Sequence, residues 1–489
     1  MSWLVLLFFL WLSYFWNKRH FSELKDFTLP VLFLLKIGVA LFFLYVYTYV
    51  YGGGELTADA ARFFEESRKL KEIFWINSSH FLELFFSFSG KTELAKNYLD
   101  NSHHWFHQYS LLPNDSRNVI RLNTLIHFIS NGELLVHFYV FTFLSFLGGL
   151  DLAKWLKKHS NAPMLLVLVI CLFTPSVVFW TSSILKEPLL IIGFIFVLRG
   201  FFDDLTFFNR VWRLTLGILL MILFKPYVLL CFLPFIGYLL LKPVFNRFSN
   251  IAFWKLYFPL LGMLFFVTSI NEKFVTSISL QQEKLMNIRD GGLFLKDNDL
   301  NDYHVYFENR SKFEIDEHIA RLKEPVGVEF IPRNDRNNRQ IIQLEEIGQS
   351  FQIDQLMTGQ NSGIELTRIK ENGWTMIKMI PEVLFNVVIR PLPHDNGSWL
   401  KYLAFLENLF LLFWVVLGFI FVPRKLNFKE KQIVYSLIGF SFLLILIVGW
   451  TTPVLGALVR YKIPAIYALA IVLCIKTDFK KLHSYLIRK

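Results

Sequence analysis

Charged residues stand at the ends of apolar segments in several distant parts of the chain. Asp59 and Arg62 lie in Glu55-Leu-Thr-Ala-Asp59-Ala-Ala-Arg62, and Lys186 and Glu187 in Ser182-Ser-Ile-Leu-Lys186-Glu187-Pro188. Lys225 lies in Phe224-Lys225-Pro226-Tyr227, Arg390 in Ile389-Arg390-Pro391, and Arg460 and Lys462 in Val459-Arg460-Tyr461-Lys462-Ile-Pro464. Charge kept at the edge of hydrocarbon is costly and marks a candidate functional site. Cations gathered at one interfacial depth suit an anionic ligand that is itself held at the interface, such as a lipid-linked phosphate or pyrophosphate. Arginine grips phosphate oxygens bidentately and lysine acts as a point charge. A carboxylate beside them takes a proton from an attacking hydroxyl, and the cations stabilise charge developing on the phosphate. That combination describes glycosyl transfer from a polyprenyl-phosphate donor.

Each residue also has a plainer role. A single Lys or Arg at a helix end anchors it by snorkelling. Glu187 can neutralise Lys186, and Asp59 can cap a helix over Ala60–Leu70. Proline follows Lys186, Lys225 and Arg390 within two residues, and Pro464 follows Arg460 and Lys462. Proline there implies broken helix ends that line a cavity, where a membrane tolerates irregular backbone. His103, His104 and His107 lack a matching carboxylate motif and read as an exposed interfacial cluster, not a metal site. His127 and His137 read as helix-packing polar residues, and Arg199 as a cytoplasmic anchor. No nucleotide, metal or cofactor motif is present in a credible context, so no cofactor and no metal are expected.

Elements that would position these residues follow from composition. The chain has 489 residues, 54% of them hydrophobic, with 54 Phe. Its mean hydropathy of +0.43 excludes an ordinary soluble globular protein. The net charge of +11 is assigned to basic loops and membrane headgroups, not to nucleic acid. Cys171, Cys231 and Cys474 all fall in apolar runs and form no disulfide framework. Apolar runs at 2–16, 29–51, 133–150, 163–181, 188–202, 212–224, 227–241, 253–270, 402–422, 432–450 and 453–475 predict an all-α polytopic membrane protein of about eleven spans.

Every second connection is basic, at Lys18/Arg19, Lys154–Lys158, Arg210/Arg213, Lys242/Arg247, Arg424–Lys431 and the tail from Lys476. The charge rule makes these cytoplasmic, with the N-terminus outside and the C-terminus inside a bacterial inner membrane. The outer face then receives 52–132, read as interfacial helices, and 271–401, read as a small periplasmic ectodomain with an amphipathic return segment.

On Asp59 with Arg62, Pro175-Ser176, Ser182-Ser183, Lys186-Glu187, Lys225-Pro226-Tyr227, Arg390-Pro391 and Arg460-Tyr461 with Pro464, the layout resembles the GT-C superfamily of integral membrane glycosyltransferases and the related O-antigen polymerases and ligases. The resemblance implies an extra helix and cytoplasmic loop at 1–28, a seven-helix module at 29–270, the ectodomain at 271–401 and C-terminal helices with a basic tail at 402–489. It implies Asp59 as the acid that binds or deprotonates the acceptor. Lys186, Lys225, Arg390 and Arg460 would hold the lipid phosphate, with Arg62, Glu187 and Lys462 beside them. The partners implied are a polyprenyl-linked sugar donor, a glycan or glycolipid acceptor and membrane lipids. A flippase or other transporter should instead place polar residues at mid-membrane, where the predicted spans are nearly charge-free, and a scaffold should leave the charges scattered.

Overall fold

A computed structural model of the chain describes residues 1–87, 93–100, 102, 104–105, 115–232, 268–299, 301–316, 318–332, 340–356, 359, 362–369 and 373–487. Two compact units emerge. The first takes Met1–Tyr257, Leu409–Leu444 and Ile463–Lys489, and the second takes Phe258–Asn408 and Ile445–Lys462.

The first unit is built from helices. α1 (Ser2–His20) and α2 (Thr28–Tyr45, continued by a π turn over Val46–Val50) precede four helices that are not candidate spans: α3 (Ala58–Ile76), α4 (Ser78–Phe86), α5 (Glu93–Leu99) and α6 (Asp115–Ser130). Then come α7 (Leu134–Lys157), α8 (Met164–Phe173), α9 (Pro175–Thr181), α10 (Glu187–Phe202), α11 (Phe207–Phe224) and α12 (Pro226–Leu230). Among the described residues, five helices are long and apolar enough to cross a membrane, or up to seven if each of two bent pairs counts as one span.

The expected count of about eleven is not reached among these residues, for physical reasons. α1 ends on Lys18, Arg19 and His20, which dilute its apolar run. α10 has only 16 residues. The predicted spans 227–241 and 253–270 lie mostly outside the described residues. The predicted span 163–181 is two helices meeting at 59°, broken where Pro175 cannot donate to the ladder.

Among the described residues, the basic side chains of Lys158, Arg199, Arg213, Arg424 and Lys429 in the first unit are held by carboxylates. Arg199 donates to both Asp151 and Asp203, Arg213 reaches Asp151 at 2.7 Å, and Lys158 reaches Asp203 at 3.1 Å. Lys429 pairs with Asp204 at 2.7 Å and Arg424 with Glu430 at 2.8 Å. Arg199 is therefore a buried member of an ion-pair cluster rather than the snorkelling anchor read from sequence.

α10 and α11 approach to backbone contact. A Cβ on Gly217 would stand 2.9 Å from the Gly193 carbonyl oxygen and 2.9 Å from the Val197 nitrogen, so only glycine fits.

The second unit corrects the all-α expectation. After α13 (Thr268–Asp290) come seven strands: β1 (Leu293–Lys296), β2 (Asp302–Val305), β3 (Phe313–Asp316), β4 (Ile319–Leu322), β5 (Val326–Ile331), β6 (Gln340–Leu344) and β7 (Ser350–Leu356). They form one sheet in the order β3-β4-β7-β1-β2-β5-β6, and every pairing is antiparallel. Alternate residues point to one core: Leu293 and Leu295 of β1, Tyr303 and Val305 of β2, Phe351 of β7. Burial alternates along β3 and β4, as expected of strands with one buried face, whereas all four residues of central β1 are buried. The polar face carries Lys296, paired with Asp354 at 2.7 Å, and a His304–Glu329 pair at 3.0 Å.

The sheet is followed by α14 (Gly373–Lys378) and α15 (Ile380–Leu384), with a π turn over Phe385–Ile389. α16 (Leu400–Val416, continued to Phe421), α17 (Phe428–Thr451), α18 (Leu455–Tyr461), α19 (Ile463–Lys476) and α20 (Phe479–Ile487) complete the chain. α18 and α19 form the second bent pair, at 49°. Within the second unit Gln282 ties α13 to the sheet's exit, donating to the carbonyls of Thr367 and Trp450 and accepting from the Ile369 amide.

Gly217→Leu should lower thermal stability in detergent by about 1–3 kcal/mol or more, because the α10–α11 contact has no room to repack. A melting temperature equal to wild type would show that the two helices part without cost.

Candidate functional site

The approach to Asp59 is a run of unusual backbone. The π turn at Val46–Val50 ends α2, and a Cβ on Gly52 would lie 1.9 Å from the Glu55 carbonyl oxygen. Ala58 has φ +59°, a conformation that costs a non-glycine residue roughly 1–2 kcal/mol. Such strain clusters at functional sites. Thr57 holds the N-cap position of α3, so Asp59 sits in the first turn and does not cap it. A carboxylate there is favoured by the unsatisfied amides of the helix start.

Asp59, Phe63, Glu66 and Leu70 recur at helical spacing on α3. That face meets the short segment His104-Trp105. The Asp59 Oδ1 lies 3.9 Å from His104 Nε2. The Phe63 and His104 rings are 4.9 Å apart. Buried Glu66 accepts from the backbone amides of His104, at 3.0 Å, and Trp105, at 3.1 Å. Carboxylate-to-amide bonds of this kind are strong, and these fix His104 against α3. His104 is 5% exposed, so it does not belong to an exposed histidine cluster. His103 and His107 lie outside the described residues.

From Trp105 the contacts continue round. The Arg121 guanidinium lies 5.2 Å from the Trp105 ring and donates to Asn118 Oδ1 at 2.8 Å. Asn118 donates to the Leu223 carbonyl at 2.9 Å. Two residues on, Lys225 pairs with Glu187 at 2.9 Å, both side chains buried. Lys186 precedes Glu187, and its ammonium lies 5.9 Å from the Phe63 ring. Contacts, with two steps along the chain from Leu223 to Lys225 and from Glu187 to Lys186, thus form a circuit from Asp59 through His104, Trp105, Arg121, Asn118, Lys225, Glu187 and Lys186 back to Phe63, one turn from Asp59 on α3.

Of the predicted residues, the circuit brings together Asp59, Lys186, Glu187 and Lys225. Arg62 is exposed on α3, one turn beyond Asp59. Glu187 was read as the partner or orienter of Lys186, and it pairs with Lys225. In the second unit, the Lys462 ammonium donates to Val387 O at 2.7 Å, Asn408 Oδ1 at 3.1 Å and Arg390 O at 3.4 Å. It closes the end of the π turn, a structural use of a residue read as a phosphate ligand. Arg390 lies 3.8 Å from Asp395 and over the Phe385 ring. Arg460 is half-buried two residues before Lys462.

Sequence reasoning missed Glu66, Trp105 and Arg121. The four- and three-residue spacing of Asp59, Phe63 and Glu66 was the available signal. Among the described residues no group of three His, Cys, Asp or Glu side chains could hold a metal ion. Comparison with protein-family models, with curated proteins and with solved structures gives no match.

Beside the circuit, α3 is held to α6 by His127, whose Nε2 lies 3.1 Å from the Phe64 carbonyl oxygen. Burial is the largest cause that lowers its pKa, to about 4, with Lys71 and Arg68 adding to it. The folded state therefore binds fewer protons than the unfolded state between pH 6.5 and about 4. Stability should fall as pH drops through that window. Thermal unfolding followed against pH should show a shallower loss in His127→Gln than in wild type. Parallel curves would remove His127 from the account.

Proposed function

We propose that the chain is a membrane glycosyltransferase that takes sugar from a polyprenyl-phosphate or polyprenyl-diphosphate carrier. It acts at the outer face of a bacterial inner membrane, on a surface glycan or glycolipid. The observation that carries the reading is the circuit joining Asp59 to Lys186 and Lys225 at helix ends of the first unit. A strained approach to the acid and cations beside it suit a reaction that moves a proton and expels a phosphate.

In this reading Asp59 accepts the proton of the acceptor hydroxyl as its oxygen attacks the anomeric carbon. The bond from that carbon to the phosphate oxygen breaks, and its electron pair leaves on the phosphate. A single displacement inverts the anomeric centre. Lys186 and Lys225 stabilise the departing charge, and Arg62 is exposed one turn from Asp59 on α3. The same chemistry serves a repeat-unit polymerase or ligase, and the acceptor decides between them. The basic connections of the first unit face the cytoplasm under the positive-inside rule.

One observation favours a transporter. Lys36 is buried inside the predicted second span, where the sequence was read as nearly charge-free. Its hydrogen bond to the Thr181 hydroxyl, rather than to a carboxylate chain, does not form a charged pathway.

Asp59→Asn should reduce surface glycan about a hundredfold or more. Lys186→Ala should reduce it with the protein still at wild-type abundance. Both are read by glycan staining of cells whose only copy is the variant. Wild-type glycan in both strains would sink the residue roles.

A further inference from the structure

The residue that the circuit leaves unused is Lys36. It lies inside α2, 2% exposed. Among the described residues its hydrogen bond goes to Thr181 Oγ1, at 3.1 Å. A lysine buried in a span without a carboxylate is costly. A methionine of similar length would avoid that cost, since replacing a buried charge by a well-packed apolar group is often neutral or stabilising. Stability alone therefore does not call for lysine here.

What Lys36 touches is the end of α9, the half-helix that leads into the turn bearing Lys186 and Glu187. That end has no following helical turn to occupy its carbonyls, and hydroxyls close it instead. Thr181 donates to Val177 O at 2.7 Å, Ser182 to Val178 O at 2.7 Å and Ser183 to Trp180 O at 2.8 Å. From α7, Ser145 donates to Thr181 O at 2.7 Å. The Thr181 hydroxyl spends its single proton on Val177, so its remaining capacity is to accept, and Lys36 is the donor. The turn that follows is short, closed by Leu185 N on Ser183 O at 2.9 Å. Its far end is held by Glu187 on Lys225. The turn is thus pinned at both ends by a lysine, one on each side.

We infer that Lys36 is a positioning residue: by binding the last residue of α9 it fixes the Ser182–Glu187 turn and thereby the placement of Lys186. The mechanical half of this inference stands on the contacts above, and the functional half rests on the reading proposed for the circuit.

The test uses the full chain in lipid nanodiscs, comparing wild type with Lys36→Met and, as an independent cut at the same bond, Thr181→Val. Melting temperature and amide hydrogen exchange over 182–187 are measured. In Lys36→Met the melting temperature should be no lower than wild type, while exchange in the turn accelerates about tenfold, with α7 and α10 unchanged. Thr181→Val should reproduce the local acceleration. Unchanged exchange in the turn overturns the inference, as does a fall in melting temperature with exchange raised throughout the bundle, which would make the lysine simply structural.

Surface glycan is then scored in cells carrying Lys36→Met and, separately, Lys186→Ala. Loss in both, with the turn loosened, supports both halves. A loosened turn with glycan intact in both strains leaves Lys36 as a pin and overturns the role given to Lys186.

Discussion

Backbone polar groups in hydrocarbon have no water to turn to, and each unsatisfied one costs several kcal/mol. Wherever a helix stops inside such a bundle, side chains must take over, and the chain solves this with local chemistry. At Thr181–Ser183 hydroxyls fold back onto the last carbonyls of α9. After Phe385–Ile389 the ammonium of Lys462 and the amide of Asn408 cover the carbonyls of Val387, Ile389 and Arg390. At His104-Trp105 a carboxylate receives two amides. In each place a polar side chain is buried because the backbone needs it. The breaks are also the points where a charged residue can stand in a fixed direction beside an apolar wall.

The sequence carried the helices better than the charges. Apolar runs at 29–51, 133–150, 402–422 and 432–450 correspond to helices Thr28–Val50, Leu134–Lys157, Leu400–Phe421 and Phe428–Thr451, since length and hydropathy alone define such elements. Prolines marked broken helix ends: helices stop before Pro188, Pro226 and Pro391, and the two bent pairs of spans meet at Pro175 and beside Pro464. A proline at the first turn of a helix, as at Glu187–Pro188 and Pro226, starts the helix without bending it.

The sheet was legible and went unread. Phe313-Glu-Ile-Asp316 and the first five residues of Ser350-Phe-Gln-Ile-Asp-Gln-Leu356 alternate apolar and polar residues. Their polar halves hid the pattern in a segment read by average composition. The ion partners were illegible for another reason. Which carboxylate meets Lys225 depends on how α10 and α11 cross, and that is set by Gly193 and Gly217 lying back to back. Loop proximity suggested Lys186 for Glu187, and tertiary packing supplied a residue 38 positions away.

The cluster of Asp151, Arg199, Asp203 and Arg213 bears on how such a chain is made. Basic residues near helix ends steer each segment as it enters a bilayer, and acidic residues contribute little to that choice. Asp151 sits beside Lys154 at the end of α7, and Asp203 four residues beyond Arg199 at the end of α10, so neither cancels the steering signal during synthesis. Once α7, α10 and α11 have associated, the same arginines are neutralised by those aspartates, and Arg199 is buried. The same charges then lock the assembled helices together.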